Sequence, residues 1–190
     1  MTGKEELIFT EEYITLASNG DSHTVMHVGE TVYMEKLAEI VTKNGGDILE
    51  IGFGMHISAD FIQANPRVKS HTIIEVHPEI YNKGLEWAKD KPNVELILGD
   101  WIDILPLKDK KIDGVLHDTH LDDNIPKFLD YVKDNCKKGT IVAFFENPVF
   151  DSRLNGIRIS IPKEEFDSLP YKNSIGFIEN QFELKYTTFN

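Results

Sequence analysis

Apolar residues in this chain fall into short runs separated by glycine, proline and acidic residues, and the runs alternate between two periods. Residues 29–43 carry Val32, Tyr33, Leu37, Ile40 and Val41 at near-helical spacing, and Gly45-Gly46 ends the pattern. A run at 47–51 follows at once and reads as a buried strand. Residues 56–64 predict a short helix closed by Asn65-Pro66, because a residue before proline is held out of helical geometry. A strand is expected at 71–76, and Pro78 then opens a helix running to about Lys89. Val94–Leu98 and Ile112–Leu116 read as the third and fourth strands. Residues 122–136 predict a helix with Pro126 near its start, Gly139 caps it, and Thr140–Phe145 is a fifth strand. Beyond it, Ile157–Ile161, Ser174–Ile178 and Phe182–Thr188 read as strands with little helix between them. Internal repeats and low-complexity linkers are absent. Strand alternating with helix predicts one α/β domain with a mostly parallel twisted sheet, helices on both faces and an antiparallel edge.

Composition narrows the class. A length of 190 residues suits a single domain with a sizeable core. The formal net charge of −12 argues against a nucleic-acid or anionic-membrane surface, which needs clustered cations. Cys136 is the single cysteine, so an internal disulfide is excluded and a reducing compartment is expected. The first residues lack the layout of a signal peptide, and no apolar run nears the roughly 18 residues that span a bilayer. The expectation is a cytoplasmic domain.

Three features then fall at the carboxyl ends of successive strands, where open α/β sheets bind ligands. The first strand ends in Glu50-Ile-Gly52-Phe-Gly54, whose glycines leave room for a ligand to approach the backbone. A dinucleotide site would place a third glycine where Ile57 stands, which weakens that reading. The second strand ends in Glu75, whose two oxygens can accept from both ribose hydroxyls. Gly99-Asp100-Trp101 follows the third strand and offers a carboxylate for an adenine amino group and a ring for stacking. Together they describe an adenosine-shaped half-site.

This pattern resembles the S-adenosylmethionine-dependent methyltransferases of the Rossmann-like class I fold. More specifically, Glu30-Thr-Val-Tyr-Met34, Gly52-Phe-Gly-Met55 and Asp118-Thr119 resemble guanidinoacetate N-methyltransferase and its guanidino-methylating relatives. The resemblance implies S-adenosyl-L-methionine as cofactor and S-adenosyl-L-homocysteine as product. It implies cofactor contacts at Met26, Met34, Gly52, Phe53, Gly54, Met55, His56, Ile57, Ser58, Glu75, Val76, His77, Asp100, Trp101, Ile102 and Asp118. Glu30 and Asp118 are implied as the carboxylates that meet the substrate, joined by Asn147 and Pro148. It also divides the chain into an N-terminal lid segment at 1–28, a cofactor-binding core at 29–150 and a C-terminal sheet edge at 151–190.

The chemistry of the two acids supports that reading. A guanidinium is planar, presents paired N–H donors to carboxylates, and is protonated at neutral pH. Methylating it requires a proton acceptor and exact aim, which two carboxylates supply. Glu30 read without the resemblance is a helix N-terminal acid favoured by the dipole, and Asp118 is a loop carboxylate. Pro148 departs from the family pattern, because the position should offer a backbone N–H to a substrate carboxylate and proline has none. Carboxylate capture therefore differs, or the substrate carries something else there. The first two dozen residues also lack the family's lid tryptophan.

The expected function is S-adenosylmethionine-dependent N-methylation of a small guanidino or related cationic amine compound. The alternatives are a small-molecule O- or other N-methyltransferase of the same fold and a non-catalytic adenosyl-binding module. The expected partner is a small-molecule methyl acceptor. Nucleic acid and membrane are not expected partners, and a homodimer is left open. His117-Asp118-Thr119-His120 is the densest histidine cluster, but metal sites need three or four converging ligands and no metal is expected.

Overall fold

The computed structural model describes residues 6–18, 21–105, 107, 111–119, 124–144, 155–160, 163–168 and 181–188. Three strands come first: β1 (Glu6–Phe9), β2 (Tyr13–Ser18) and β3 (Asp21–His27), an antiparallel meander in the order β1-β2-β3. Sequence reading leaves this stretch without strands, because its alternation is interrupted by Thr and acidic residues. A single 3-10 turn (Val28–Glu30) leads into α1 (Thr31–Val41).

The alternating units then follow: β4 (Gly46–Ile51), α2 (Ile57–Ala64), β5 (Val68–Glu75), α3 (Pro78–Ala88), β6 (Val94–Leu98), α4 (Trp101–Ile104), β7 (Gly114–His117), α5 (Ile125–Asn135) and β8 (Ile141–Phe144). The chain closes with β9 (Asn155–Ser160), α6 (Lys163–Ser168) and β10 (Gln181–Thr188). The expected strand at Ser174–Ile178 lies outside the described residues. α6 was not foreseen, since six residues are too few to show a helical period. The strand expected at 71–76 starts earlier, at Val68, because pairing with β4 extends to Gly46↔Val68.

The large sheet runs β6-β5-β4-β7-β8-β10-β9, parallel from β6 through β8, with β10 antiparallel to both of its neighbours. The mostly parallel sheet with an antiparallel edge is therefore as expected. Each central strand sends alternate side chains to opposite faces. Ile48, Leu116 and Ala143 pack against α1 and α2 on one face. Leu49, Val115 and Val142 pack under Phe128, Leu129 and Val132 of α5 on the other. The meander joins the first face, where Ile14 packs with Phe53, Ile73 and Ile80. Strand order reverses at β4, with β5 on one side and β7 on the other, so a crevice opens at their carboxyl ends.

Candidate active site

Backbone hydrogen bonds lace the strand ends around that crevice. Asp118 N–H donates to the Ile51 carbonyl at 2.9 Å, Gly52 N–H to Ile74 at 2.8 Å, and Gly99 N–H to Glu75 at 2.9 Å. A cleft of about 200 Å³ opens above them, lined by Ile51, Gly52, Ile74, Glu75, Val76, Gly99, Asp100, Trp101, Ile102, Thr119 and Asn124. Six of the expected cofactor contacts, Gly52, Glu75, Val76, Asp100, Trp101 and Ile102, are in this lining. Thr119 and Asn124 join it although sequence reading gave neither a ligand role. Their signal was positional, just past β7 and at the start of α5.

The turn after β4 is built from left-handed backbone. Gly52 has φ +89° and Gly54 φ +51°, and His56, which is not glycine, has φ +57°. A Cβ on Gly52 would lie well inside contact distance of the Asp118 carbonyl oxygen. A Cβ on Gly54 would collide with the Met26 sulfur. The glycines thus make room first for the protein's own chain, which fastens the loop to β7 and to the meander.

Met26 accepts a hydrogen bond from Met55 N–H at 2.9 Å and is buried. Met34, on α1, is fully buried in the core and is not among the residues lining the cleft. Phe53 and Ser58 are buried as well. Met55 and Ile57 are half-buried, and His56 is exposed and bonded through Nδ1 to Asp60 at 2.8 Å.

Glu75 is held before any ligand arrives. One of its oxygens accepts from Phe53 N–H at 2.9 Å and the other from His77 N–H at 2.7 Å. Each oxygen keeps lone-pair capacity toward the cleft. Asp100 caps α4, accepting from Ile102 N–H at 2.9 Å. Trp101 departs from the stacking role. The residue is 6% exposed and its ring meets Phe128 and His117 edge-on, so it forms a cleft wall rather than an open platform. His117 is buried among Trp101, Phe128 and Phe144.

Glu30, before α1, and Asp118, just past β7, lie far apart in sequence, and Glu30 acts electrostatically on Asp118. Glu30 Oε1 accepts from His27 N–H at 2.9 Å, and His27 Nδ1 accepts from Gly29 N–H at 2.9 Å, a reciprocal capping box. That cap uses the Nδ1 lone pair, which suits a neutral ring. Burial lowers the His27 pKa, partly offset by Glu12. Asp118 is half-buried. Burial first, then the charges of Glu30, Glu50 and Glu75, push its carboxyl well above the usual carboxylate range. Asn147 and Pro148 lie outside the described residues.

The raised Asp118 pKa has a stability consequence. Ionising Asp118 costs more in the folded chain than in the unfolded one. The penalty is absent below about pH 3.9, grows as pH rises toward the folded pKa and is full above it. An Asp118→Asn variant is therefore expected to melt at a higher temperature than the parent at neutral pH. The gap should close as the pH approaches 4. A lower melting temperature at neutral pH would contradict the electrostatic account.

Comparisons with known proteins agree with this architecture. The guanidinoacetate N-methyltransferase family matches residues 15–139. The protein arginine N-methyltransferase 2 of Saccharomyces cerevisiae is 34% identical over 164 residues, covering 80% of this chain and 39% of that protein. The chain spans between 32% and 39% of the length of this relative and its counterparts in Yarrowia lipolytica and Candida glabrata. In fold, a spermidine synthase superposes with a TM-score of 0.65 at 14% identity, covering 100% of this chain and 71% of that one. The O-methyltransferase TomG from Streptomyces achromogenes, in complex with SAM, superposes with a TM-score of 0.58 at 16% identity, covering 87% and 82%. The fungal relatives overturn the expected small-molecule acceptor, because they are named for a protein acceptor. Carboxylates that fit a guanidinium do not report what the guanidinium is attached to, and residue chemistry alone could not separate the two.

Proposed function

Since the chain belongs to the guanidinoacetate N-methyltransferase family, and with it to the S-adenosyl-L-methionine-dependent methyltransferases of Rossmann-like fold, we propose that it methylates the guanidino group of arginine in a protein. The observation that carries this reading is the crowd of carboxylates around Asp118, where Glu30, Glu50 and Glu75 all act on one half-buried acid. Glu50 and Glu75 have partners within the fold, but Asp118 stays disfavoured as a charge until a cation enters, and a guanidinium meets carboxylates through a planar fork of N–H donors. The acceptor class follows the names of the fungal relatives.

The cleft fits the adenosyl end of the cofactor. Ile51, Ile74, Val76 and Ile102 give it apolar walls for a flat ring, and Glu75, with both oxygens steered by backbone N–H groups, faces a ribose. A side chain at Gly52 would intrude on this edge. When bound, S-adenosyl-L-methionine supplies the methyl group from a positively charged sulfur.

The chain's own residues do the remaining work. Glu30 and Asp118 grip the guanidinium and hold one nitrogen in line with the methyl, a positioning effect worth up to about 7–11 kcal/mol in favourable cases. The nitrogen that gains the methyl sheds a proton, and Asp118 accepts it. Glu30, the second carboxylate, offsets the positive charge as transfer proceeds. A carboxylate with a raised pKa is a better base near neutral pH than an ordinary one.

The pH profile tests this assignment. In the free enzyme, kcat/KM is expected to fall on the acid side with a pKa well above the ordinary carboxylate value of about 3.9. The corresponding limb of kcat should lie lower, because a bound cation favours the ionised acid. An acid limb at the ordinary value, or one that rises on substrate binding, would count against Asp118 as the base.

A further inference from the structure

Glu50, near the end of β4, is wholly buried and is not part of the cleft lining. One of its oxygens accepts a short hydrogen bond from the Ser58 hydroxyl. The other lies 2.8 Å from His71 Nε2 on β5, and His71 is itself fully buried. The far ring nitrogen of His71 lies 3.2 Å from the Gln63 side-chain amide on α2. Neither the resemblance nor the proposed mechanism uses His71.

We propose that His71 and Glu50 form a positioning pair that clamps the cofactor loop from behind. Glu50 lies near the end of β4 and Ser58 in the first turn of α2, so their bond closes the segment 51–57 across its base. That segment needs a clamp. It holds three left-handed residues within five positions, and His56 adopts this conformation without glycine's freedom. His71 holds the second oxygen of Glu50, so the carboxylate cannot swing toward the cleft and abandon Ser58. The pair also offsets the cost of a carboxylate buried close to Asp118.

The proposal rests on the cofactor assignment, and binding of S-adenosyl-L-homocysteine by the parent chain, measured first by calorimetry, tests that assignment separately. His71→Leu, which removes the 2.8 Å contact to the Glu50 carboxylate, and Ser58→Ala, which removes a hydrogen bond to it, are then each expected to weaken binding about tenfold. The double variant should be no weaker than the worse single variant, because both break the same clamp. His71→Gln, which keeps a donor facing Glu50, should bind within about threefold of the parent. Binding is compared at a temperature where melting curves show every variant folded, and Ser58→Ala carries the test if His71→Leu does not fold. Variants that lose melting temperature but bind S-adenosyl-L-homocysteine as the parent does would overturn the proposal, leaving the pair as core packing alone.

Discussion

Asp118→Asn is expected to lower turnover by about a hundredfold to ten-thousandfold at saturating cofactor, the range typical of a lost general base. Asparagine keeps the size of the side chain but cannot take a proton at neutral pH. The same variant is expected to be more stable than the parent, since it removes a carboxylate that burial and Glu30, Glu50 and Glu75 all disfavour. Lower activity with higher stability separates a functional acid from a structural one. Glu30→Gln should also lose turnover, and its amide oxygen can still accept from His27 N–H, so the cap survives and the charge alone is tested. S-adenosyl-L-homocysteine binding, followed by calorimetry, should change far less than turnover in both variants. Full turnover by either one would remove that residue from the mechanism.

Gly52→Ala should have the second large effect. The residue sits at φ +89°, which L side chains rarely adopt, and the added methyl would strike the backbone carbonyl of Asp118. Backbone cannot move aside as a flexible side chain can. Strain of about 1–3 kcal/mol from the dihedral alone is joined by displacement of the strand end that carries Asp118. The expected result is loss of detectable S-adenosyl-L-homocysteine binding together with a large fall in melting temperature. Gly54→Ala offers the contrast. Its methyl meets the Met26 side chain, which can yield, and φ +51° lies in a region non-glycine residues visit at modest cost. It should be the milder variant in both calorimetry and thermal melting. A Gly52→Ala chain that binds as the parent does would show that the turn is looser than its geometry implies.

Much of the architecture was legible because buried parallel strands write continuous apolar runs. The run ending at Ile51, the glycines after it and the acid at Glu75 fixed the sheet centre and the position of the cleft. The meander at Glu6–His27 was not legible, since its alternation is broken by Thr24 and by acidic residues at its turns. At the site, Glu75 was readable from its place after a strand, whereas Val76 and Ile102 came from the family resemblance. Trp101 was misjudged as a stacking face because sequence gives a ring's position but not which side is already packed by Phe128 and His117. The glycines were read as room for a ligand, whereas Asp118 and Met26 occupy much of that room. The link from Glu50 to His71 crosses between strands, and no local pattern announces it. The guanidino acceptor came from the family resemblance, with two acids whose chemistry suits it, and the proposal of a protein acceptor came from the names of the relatives, not from residues.

Mass spectrometry of an arginine-containing protein substrate incubated with the chain and S-adenosyl-L-methionine tests the central claim most directly. The account predicts added methyl mass on an arginine side chain. It also predicts that this mass is absent when that arginine is replaced by lysine, and largely absent with the Asp118→Asn chain. Methyl transfer to free guanidinoacetate but not to protein arginine, or arginine methylation undiminished in the Asp118→Asn chain, would contradict it.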